Sequence, residues 1–152
     1  MNDVEIIIAE DLPVVRLIRE FDAPPEKVFR AHVDPELFVQ WNWTDDYTVT
    51  FDQFDCRTGG AYRITMSGPE MSGSVHGSFH DVVPNERIVQ TFSPDGFPDL
   101  VVLERHTFED LGDGRTRLTS QSLVESFEYR DVFLDAGLVE GWARLNALLA
   151  TL

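Results

Sequence analysis

Between residues 47 and 124 the chain repeats one pattern, short runs with a period of two separated by turn residues. Alternating side chains are typical of strands that bury one face, and Gly, Pro, Asn and Asp between the runs favour tight turns. Consecutive strands with short links pair with their neighbours, so the stretch predicts an antiparallel meander. The predicted strands span residues 48–54, 61–67, 74–83, 87–92, 100–109 and 116–124.

One further strand, a candidate extra edge strand and two short helices are predicted before the meander. Residues 14–21 alternate, and the β-branched run at 6–8 suits an extra edge strand. Asp22, shortly before the pair Pro24-Pro25, predicts the N-terminal cap of one helix, and Asp34-Pro35-Glu36 predicts the start of a second. In the first helix we expect Val28, Phe29 and either His32 or Val33 to face inward.

The last segment, residues 126–152, has the apolar stripe of an amphipathic helix. The stripe consists of Leu134, Leu138, Trp142, Leu145 and Leu149. Gly137 and Gly141 each cost about 1 kcal/mol of helix stability relative to alanine, so we expect them to allow a close approach, most simply to the strands. A break near Ala136-Gly137 is the alternative.

The element order, one strand, two helices, six strands and a long helix, indicates an α+β fold in a single domain of residues 1–152. A strongly curved sheet around one helix leaves space beneath it, and such spaces often hold ligands. The net charge of −15 argues against nucleic acid and anionic membranes as partners. An acidic N-terminus, no long apolar run and the single Cys56 predict a cytoplasmic protein without membrane insertion or an intrachain disulfide.

An ordered set of short motifs resembles the START-like, helix-grip (SRPBCC) superfamily, and more closely its bacterial branch named after the activator of the heat-shock-protein-ninety ATPase. The resemblance covers about residues 14–150, and the motifs are Phe21-Asp22-Ala23-Pro24, Val28-Phe29-Arg30-Ala31, Asp34-Pro35-Glu36-Leu37, Asp55-Cys56-Arg57-Thr58-Gly59-Gly60, Gly77-x-Phe79, Pro84-x-Glu86-Arg87-Ile88-Val89, Gly114-Arg115-Thr116-Arg117-Leu118-Thr119 and Gly141-Trp142. Where the family often has two adjacent tryptophans and a proline, this chain has Trp41-Asn42-Trp43-Thr44.

The resemblance implies a helix-grip fold. In that fold a curved antiparallel sheet of about six to seven strands wraps around a long C-terminal helix, and two short helices follow the first strand. The superfamily includes lipid binders, polyketide cyclases and hydrolase-like enzymes, so the resemblance is more specific for fold than for function.

Along the strand at 100–109, Glu104, His106 and Phe108 share one face and Leu103 and Arg105 share the other. Periodicity barely separates the two faces, and the family resemblance selects the Phe108 face as the inner one. Glu104 and His106 then point into the expected cavity, where burial perturbs acidity. They are interpreted as a satisfied internal pair, as ligand contacts or as acid–base groups.

The candidate ligand-binding set is mostly apolar with a few polar points, as in small-molecule sites. It comprises Trp41, Tyr62, Met66, Gln90, Phe92, Glu104, His106, Phe108, Ser120 and Trp142. Ser122 shares the face of Ser120. Ordinary core packing is the alternative, and it explains the polar members worst.

Other chemistries are not predicted. His76 and His80 alternate with apolar residues on a strand, so we expect both on the outer face, about 13 Å apart and too far for one metal ion. Cys56 has no base in its sequence context. Phosphate-binding Gly-rich loops, Cys-x-x-Cys, His-Glu-x-x-His and Gly-x-Ser-x-Gly are all absent from the sequence. No catalytic residue, metal site or cofactor is therefore assigned.

The sequence favours binding of a small apolar or aromatic molecule between sheet and helix. A polyketide-cyclase-like enzyme that uses Glu104 or His106 is the alternative. A chaperone-regulator-like domain with a protein partner is a third hypothesis, suggested only by the family name.

Overall fold

The computed structural model describes residues 4–97, 99–134 and 138–152. Within them the chain forms an α+β structure, as predicted. The elements are β1 (Glu5–Ile8), β2 (Val14–Phe21), α1 (Pro25–Val33), α2 (Pro35–Asn42), β3 (Thr48–Phe54), β4 (Ala61–Ser67), β5 (Ser72–Val83), β6 (Arg87–Pro94), β7 (Val102–Gly112), β8 (Arg115–Leu123), α3 (Phe127–Leu134) and α4 (Leu138–Leu149).

The strands form one antiparallel sheet in the order β1-β2-β8-β7-β6-β5-β4-β3. From β3 to β8 each strand pairs with the next in sequence, which confirms the meander. β2 pairs with β8, with Val14 opposite Leu123, so the first and last parts of the sheet meet. The sheet has eight strands rather than six to seven, because the run of isoleucines in β1 pairs fully with β2.

The two short helices follow β2 as predicted, but only one has the expected cap. Asp34 accepts a hydrogen bond from the backbone N–H of Glu36 at 3.0 Å and caps α2. The prediction that Asp22 caps α1 is wrong. Pro24 occupies the cap position without a side-chain hydrogen bond, and Asp22 accepts from Arg115 Nε at 3.1 Å. Asp22 lies two residues before the cap position.

The C-terminal segment contains two described helices, α3 and α4. Ser126 caps α3, since its hydroxyl accepts from the backbone N–H of Tyr129 at 3.1 Å. In α4 the stripe residues Trp142, Leu145 and Leu149 are buried, as the periodicity predicts. The side chains of Leu134 and Leu138 and all of residues 135–137, with Gly137 and the break expected beside it, lie outside the described residues.

Gly141 shows that α4 packs on a helix at this point. A Cβ atom on Gly141 would lie 3.6 Å from the carbonyl oxygen of Trp41 in α2, an ordinary van der Waals distance. The prediction that this glycine lets the helix approach the strands is therefore wrong. Arg144 Nε donates to the same carbonyl at 2.9 Å and ties α4 to the end of α2.

The family-like motif between β3 and β4 is a backbone turn. Gly59 has φ of +85°, and a Cβ atom on Gly60 would lie 2.0 Å from the carbonyl oxygen of Asp55. Both positions therefore require glycine. Arg57 Nε contacts both carboxylate oxygens of Asp55 at 2.9 Å across the turn. Backbone hydrogen bonds between this turn and Phe79 fix the start of β4 against β5.

The main core lies between the sheet and helices α1, α2 and α4. Its largest fully buried members include Phe21, Ile64, Ile88, Leu118 and Leu145. A smaller cluster of Leu100, Val102 and Val124 packs with Tyr129 of α3. Among the described helices, none is both long and apolar enough to span a membrane.

Candidate functional site

A row of polar side chains crosses the inner face of the sheet on β6, β7 and β8. Strand register places Gln90 opposite Glu104 and Glu104 opposite Ser122, and it places His106 opposite Ser120. Residues directly opposite each other in a ladder point to the same face. We call these five residues, Gln90, Glu104, His106, Ser120 and Ser122, the polar strip.

Burial along β7 confirms the predicted face. Val102 and Phe108 are buried, Glu104 and His106 are half-buried, and the alternate residues Leu103 and Arg105 are exposed. The resemblance therefore selected the correct side of this strand, on which periodicity alone was ambiguous.

Hydrogen bonds join the polar strip across the strands. Gln90 Nε2 donates to Glu104 Oε1 at 3.2 Å, and His106 Nδ1 lies 2.6 Å from the hydroxyl of Ser120. Tyr62 of β4 donates its hydroxyl hydrogen to the carbonyl of Thr91 at 2.7 Å. Burial and the nearby charge of Glu104 both raise the pKa of Tyr62, so this phenol stays protonated beside the strip.

His32 of α1 lies over the polar strip and was not in the predicted set. Its ring centroid is 5.7 Å from that of His106 and 5.1 Å from that of Phe108. His32 Nδ1 lies 2.8 Å from the carbonyl oxygen of Val28, which can only accept, so Nδ1 carries the hydrogen and Nε2 is a bare acceptor. The sequence left His32 and Val33 as alternatives for the inward face of this helix, and His32 is the more buried of the two.

The strip and His32 combine three strongly perturbed groups. Burial raises the pKa of Glu104 to about 7, although the hydrogen bond from Gln90 opposes the shift. Burial lowers the pKa of His106 to about 3, and His32 adds to this. Burial also lowers the pKa of His32 to about 4 against the opposing bond to Val28. Near neutral pH both imidazoles are neutral, and the Glu104 carboxyl is partly protonated and partly ionised.

Several polar atoms of the site have no hydrogen-bond partner yet remain accessible. Of the side-chain N and O atoms in the described part of the chain, only Arg19 Nε is both inaccessible and unpartnered. Glu104 Oε2, His106 Nε2 and Ser122 Oγ make no hydrogen bond within the described residues, so each retains accessible surface. These atoms can therefore bond to water or to a ligand.

The structure brings together only part of the predicted ligand-binding set. Gln90, Glu104, His106, Phe108 and Ser120 meet beneath α1, and Tyr62 reaches them from β4. Phe92 is half-buried on the inner face of β6 and packs against both core clusters.

Three further predicted lining residues lie in the main core, to which Tyr62 and Phe108 also belong. Trp41 is buried and donates its indole N–H to the carbonyl of Ala31 at 2.9 Å. Trp142 packs edge-to-face on Phe21 with ring centroids 5.9 Å apart. Met66 is buried on β4, which two strands separate from β7.

The residues considered for other chemistry lie elsewhere. His76 and His80 are exposed on the outer face of β5, and His76 Nδ1 lies 2.9 Å from Asp95 Oδ1. In the described ranges, no group of three or more potential ligands is arranged to hold a metal ion. Burial and the charge of Asp55 raise the pKa of the Cys56 thiol to about 12, which disfavours the nucleophilic thiolate.

Solved structures with this fold come from several bacteria. A Mycobacterium smegmatis protein is 23% identical, with a TM-score of 0.79 over 97% of this chain and 95% of its own. A Rhodobacter sphaeroides protein is 23% identical, with a TM-score of 0.82 over 97% and 99%. A Chromobacterium violaceum protein is 27% identical, with a TM-score of 0.74 over 89% and 96%.

Comparison of the sequence with family models identifies the family of this chain. No curated protein matches the chain in sequence. The family model described as activator of Hsp90 ATPase homolog 1-like protein matches residues 22–152, from the end of β2 to the C-terminus. The chain therefore belongs to the family of activator of Hsp90 ATPase homolog 1-like proteins, within the START-like superfamily.

Proposed function

We propose that this protein, acting as a single domain, binds a small, mostly apolar molecule in a cavity between the inner face of the sheet and the helices. The observation that carries the proposal is the polar strip, a set of half-buried and buried polar side chains with unpartnered, accessible atoms inside an otherwise apolar core. A packed core gains little stability from polar atoms that make no hydrogen bond, whereas a ligand can supply the missing partners.

The surroundings of the strip suit an apolar ligand body. Phe108 and Trp41 place aromatic rings beside His32, at 5.1 and 5.0 Å between ring centroids, and Phe29 packs on Phe108. A mostly apolar site with a few convergent polar groups and perturbed pKa values is typical of small-molecule binding. Burial of apolar ligand surface supplies about 25 cal/mol per Å², before the cost of immobilising the ligand.

A thermal-shift and tryptophan-fluorescence screen tests the proposal with fatty acids, flavonoids and polycyclic aromatics. A ligand that binds only the folded state raises the melting temperature, and the packed Trp41 beside His32 is expected to report its arrival. We expect saturable hits that His106→Asn weakens about tenfold or more. His80→Asn, on the exposed outer face, is the matched control and should leave affinity unchanged.

The result that would contradict ligand binding is equally clear. If no compound in the panel gives a saturable response, or if His106→Asn and His80→Asn weaken every hit equally, the polar strip is not the binding site.

A second candidate function is a polyketide-cyclase-like reaction, favoured by Glu104. A carboxyl group with a pKa of about 7 exchanges protons at neutral pH, as a general acid or base requires. With a linear poly-β-ketone as substrate, Glu104→Gln should lower turnover by about a hundredfold or more while binding persists. Glu109→Gln, exposed on the same strand, is the control. Equal turnover in both variants would remove Glu104 from the chemistry.

A further inference from the structure

The polar strip also restricts the chemistry of the ligand. We propose, resting on the proposed function, that the polar end of the ligand is an uncharged hydrogen-bond donor, an aromatic hydroxyl of the phenol class. On this proposal the site discriminates against aromatic carboxylates of the same shape. The argument depends on which atoms of the strip are free, on the rings around them and on the absence of a cation beside them.

Two of the free atoms are acceptors, His32 Nε2 because of its tautomer and Glu104 Oε2 once the carboxyl is ionised, as it mostly is above its pKa of about 7. His32 Nδ1 donates to Val28, which leaves Nε2 as an acceptor. Glu104 receives the amide hydrogen of Gln90 on Oε1, and its second oxygen makes no bond within the described residues. An O–H group of a ligand complements such atoms, whereas an ether or a carboxylate brings only further acceptors.

The rings above the strip favour an aromatic body for the ligand. His32 contacts Phe108 edge-on, at an interplanar angle of 87°, and Phe108 contacts Phe29 at 72°. Half-buried Phe92 lies on the same face of the sheet on β6. Flat rings pack well in edge-to-face arrangements of this kind. A fused aromatic hydroxyl therefore matches both the rings and the acceptors.

No cation of the described residues lies in the polar strip to hold an anionic ligand. Glu104 is acidic, and His32 and His106 are held neutral by burial. Arg19 on the inner face of β2 donates to the carbonyl of Trp142 at 3.4 Å and lies 5.1 Å from the ring centre of Phe21. A buried carboxylate without a paired charge is costly, and a second carboxylate at Glu104 adds repulsion.

Three probes with the same ring system separate the effect of the hydrogen-bond donor from the effect of charge. They are naphthol, methoxynaphthalene and naphthoate, substituted at the same carbon. At about pH 8 naphthol is uncharged, since phenols titrate near pH 10. Isothermal titration calorimetry should show naphthol binding about tenfold or more tighter than each of the other two, because each loses the donor and naphthoate adds a charge.

Substitutions at Glu104 test whether this residue causes the preference for a ligand that donates a hydrogen bond. Glu104→Leu should bring the affinities for naphthol and methoxynaphthalene within about threefold of each other, because the acceptor is gone. Glu104→Gln retains an acceptor oxygen and should keep most of the preference, and Glu109→Leu, exposed on the same strand, should keep all of it. Thermal unfolding of each variant establishes that it is folded before its affinities are compared.

Each contrary result has a distinct meaning. Equal affinity for all three probes would leave ligand binding intact and overturn the inference. Naphthoate as the tightest probe, with its affinity lost in Arg19→Met, would place the polar end at Arg19 and overturn it as well. No binding of any probe, together with no hit in the wider screen, would overturn the proposed function and the inference with it.

Discussion

The inner face of the sheet has two halves that handle burial in opposite ways. On β3, β4 and β5 the inward side chains are almost all apolar, and aromatic contacts connect them, with Phe79 5.3 Å from Tyr62 and 6.2 Å from Phe54 between centroids. On β6, β7 and β8 the inward side chains include the five residues of the polar strip. Both halves belong to one continuous sheet.

The difference indicates that side-chain burial stabilises the fold more in the apolar half, on β3 to β5, than in the polar half, on β6 to β8. The apolar half gains stability from every buried side chain, and Phe38 of α2 extends its ring contacts to Phe54 at 5.5 Å. The polar half holds Glu104 and two imidazoles in surroundings that disfavour their charged forms. Local departures from good packing chemistry are expected at functional sites.

The sharpest test of the contrast removes one side chain from each half. Ile64 is 2% exposed in the apolar half, and Ile64→Ala should lower the free energy of unfolding by about 3–4 kcal/mol through lost burial and a cavity. Ser122→Ala in the polar half should change it by less than about 0.5 kcal/mol, because the hydroxyl has no hydrogen-bond partner in the described residues. Urea unfolding measures both, and similar costs would abolish the distinction.

Adding one methyl group tests how tightly the apolar half is packed. A Cβ atom on Gly77 would lie 2.0 Å from the carbonyl oxygen of Thr91 and 2.7 Å from Tyr62 Cε1. Gly77→Ala must therefore displace β6 or the Tyr62 ring, and we expect it to lower the free energy of unfolding by about 2–3 kcal/mol.

Gly141→Ala is the control for this substitution, since α4 has room for a methyl group 3.6 Å from the Trp41 carbonyl. Better helix propensity should then raise the free energy of unfolding by about 0.5–1 kcal/mol. Thermal melts of the two variants should shift in opposite directions. A Gly77→Ala protein that melts at the wild-type temperature would show that β5 and Tyr62 are not in tight contact.

The pH dependence of stability tests the polar half separately. The folded-state pKa of Glu104 is raised from 4.5 to about 7, so its contribution to stability is complete below about pH 4.5 and is lost as pH rises through 7. The free energy of unfolding of Glu104→Gln, relative to that of wild type, should therefore rise by about 1–2 kcal/mol from about pH 5 to pH 8. This figure is smaller than the full pKa shift would give, because Glu104 is only half-buried.

The contributions of His32 and His106 to the pH dependence of stability cancel when the variant is compared with wild type. The lowered pKa values of His32 and His106 make stability fall as pH drops below 6.5, in wild type and variant alike. Urea unfolding at the two pH values supplies the difference. Parallel stability profiles for wild type and Glu104→Gln would mean that Glu104 is not desolvated.

The sequence by itself determined the elements and the inner face of most of them. β2, β3 and β4 have the predicted bounds, and Trp142, Leu145 and Leu149 form the buried stripe of α4. Alternation and helical periodicity are local signals, because side-chain direction repeats along each element. For β7 the local signal was ambiguous, and a resemblance between whole chains was needed to place Glu104 and His106 inside.

Only the tertiary structure decided which side chains meet. Gln90, Glu104 and Ser122 come from three strands, and their alignment depends on the register of the pairings between them. His32 reaches the strip because α1 packs on β7 and β8. The pKa of Glu104 and the packing of Gly141 against Trp41 likewise depend on neighbours distant in sequence. Desolvation and contact are properties of the assembled core, and no local pattern along the chain contains them.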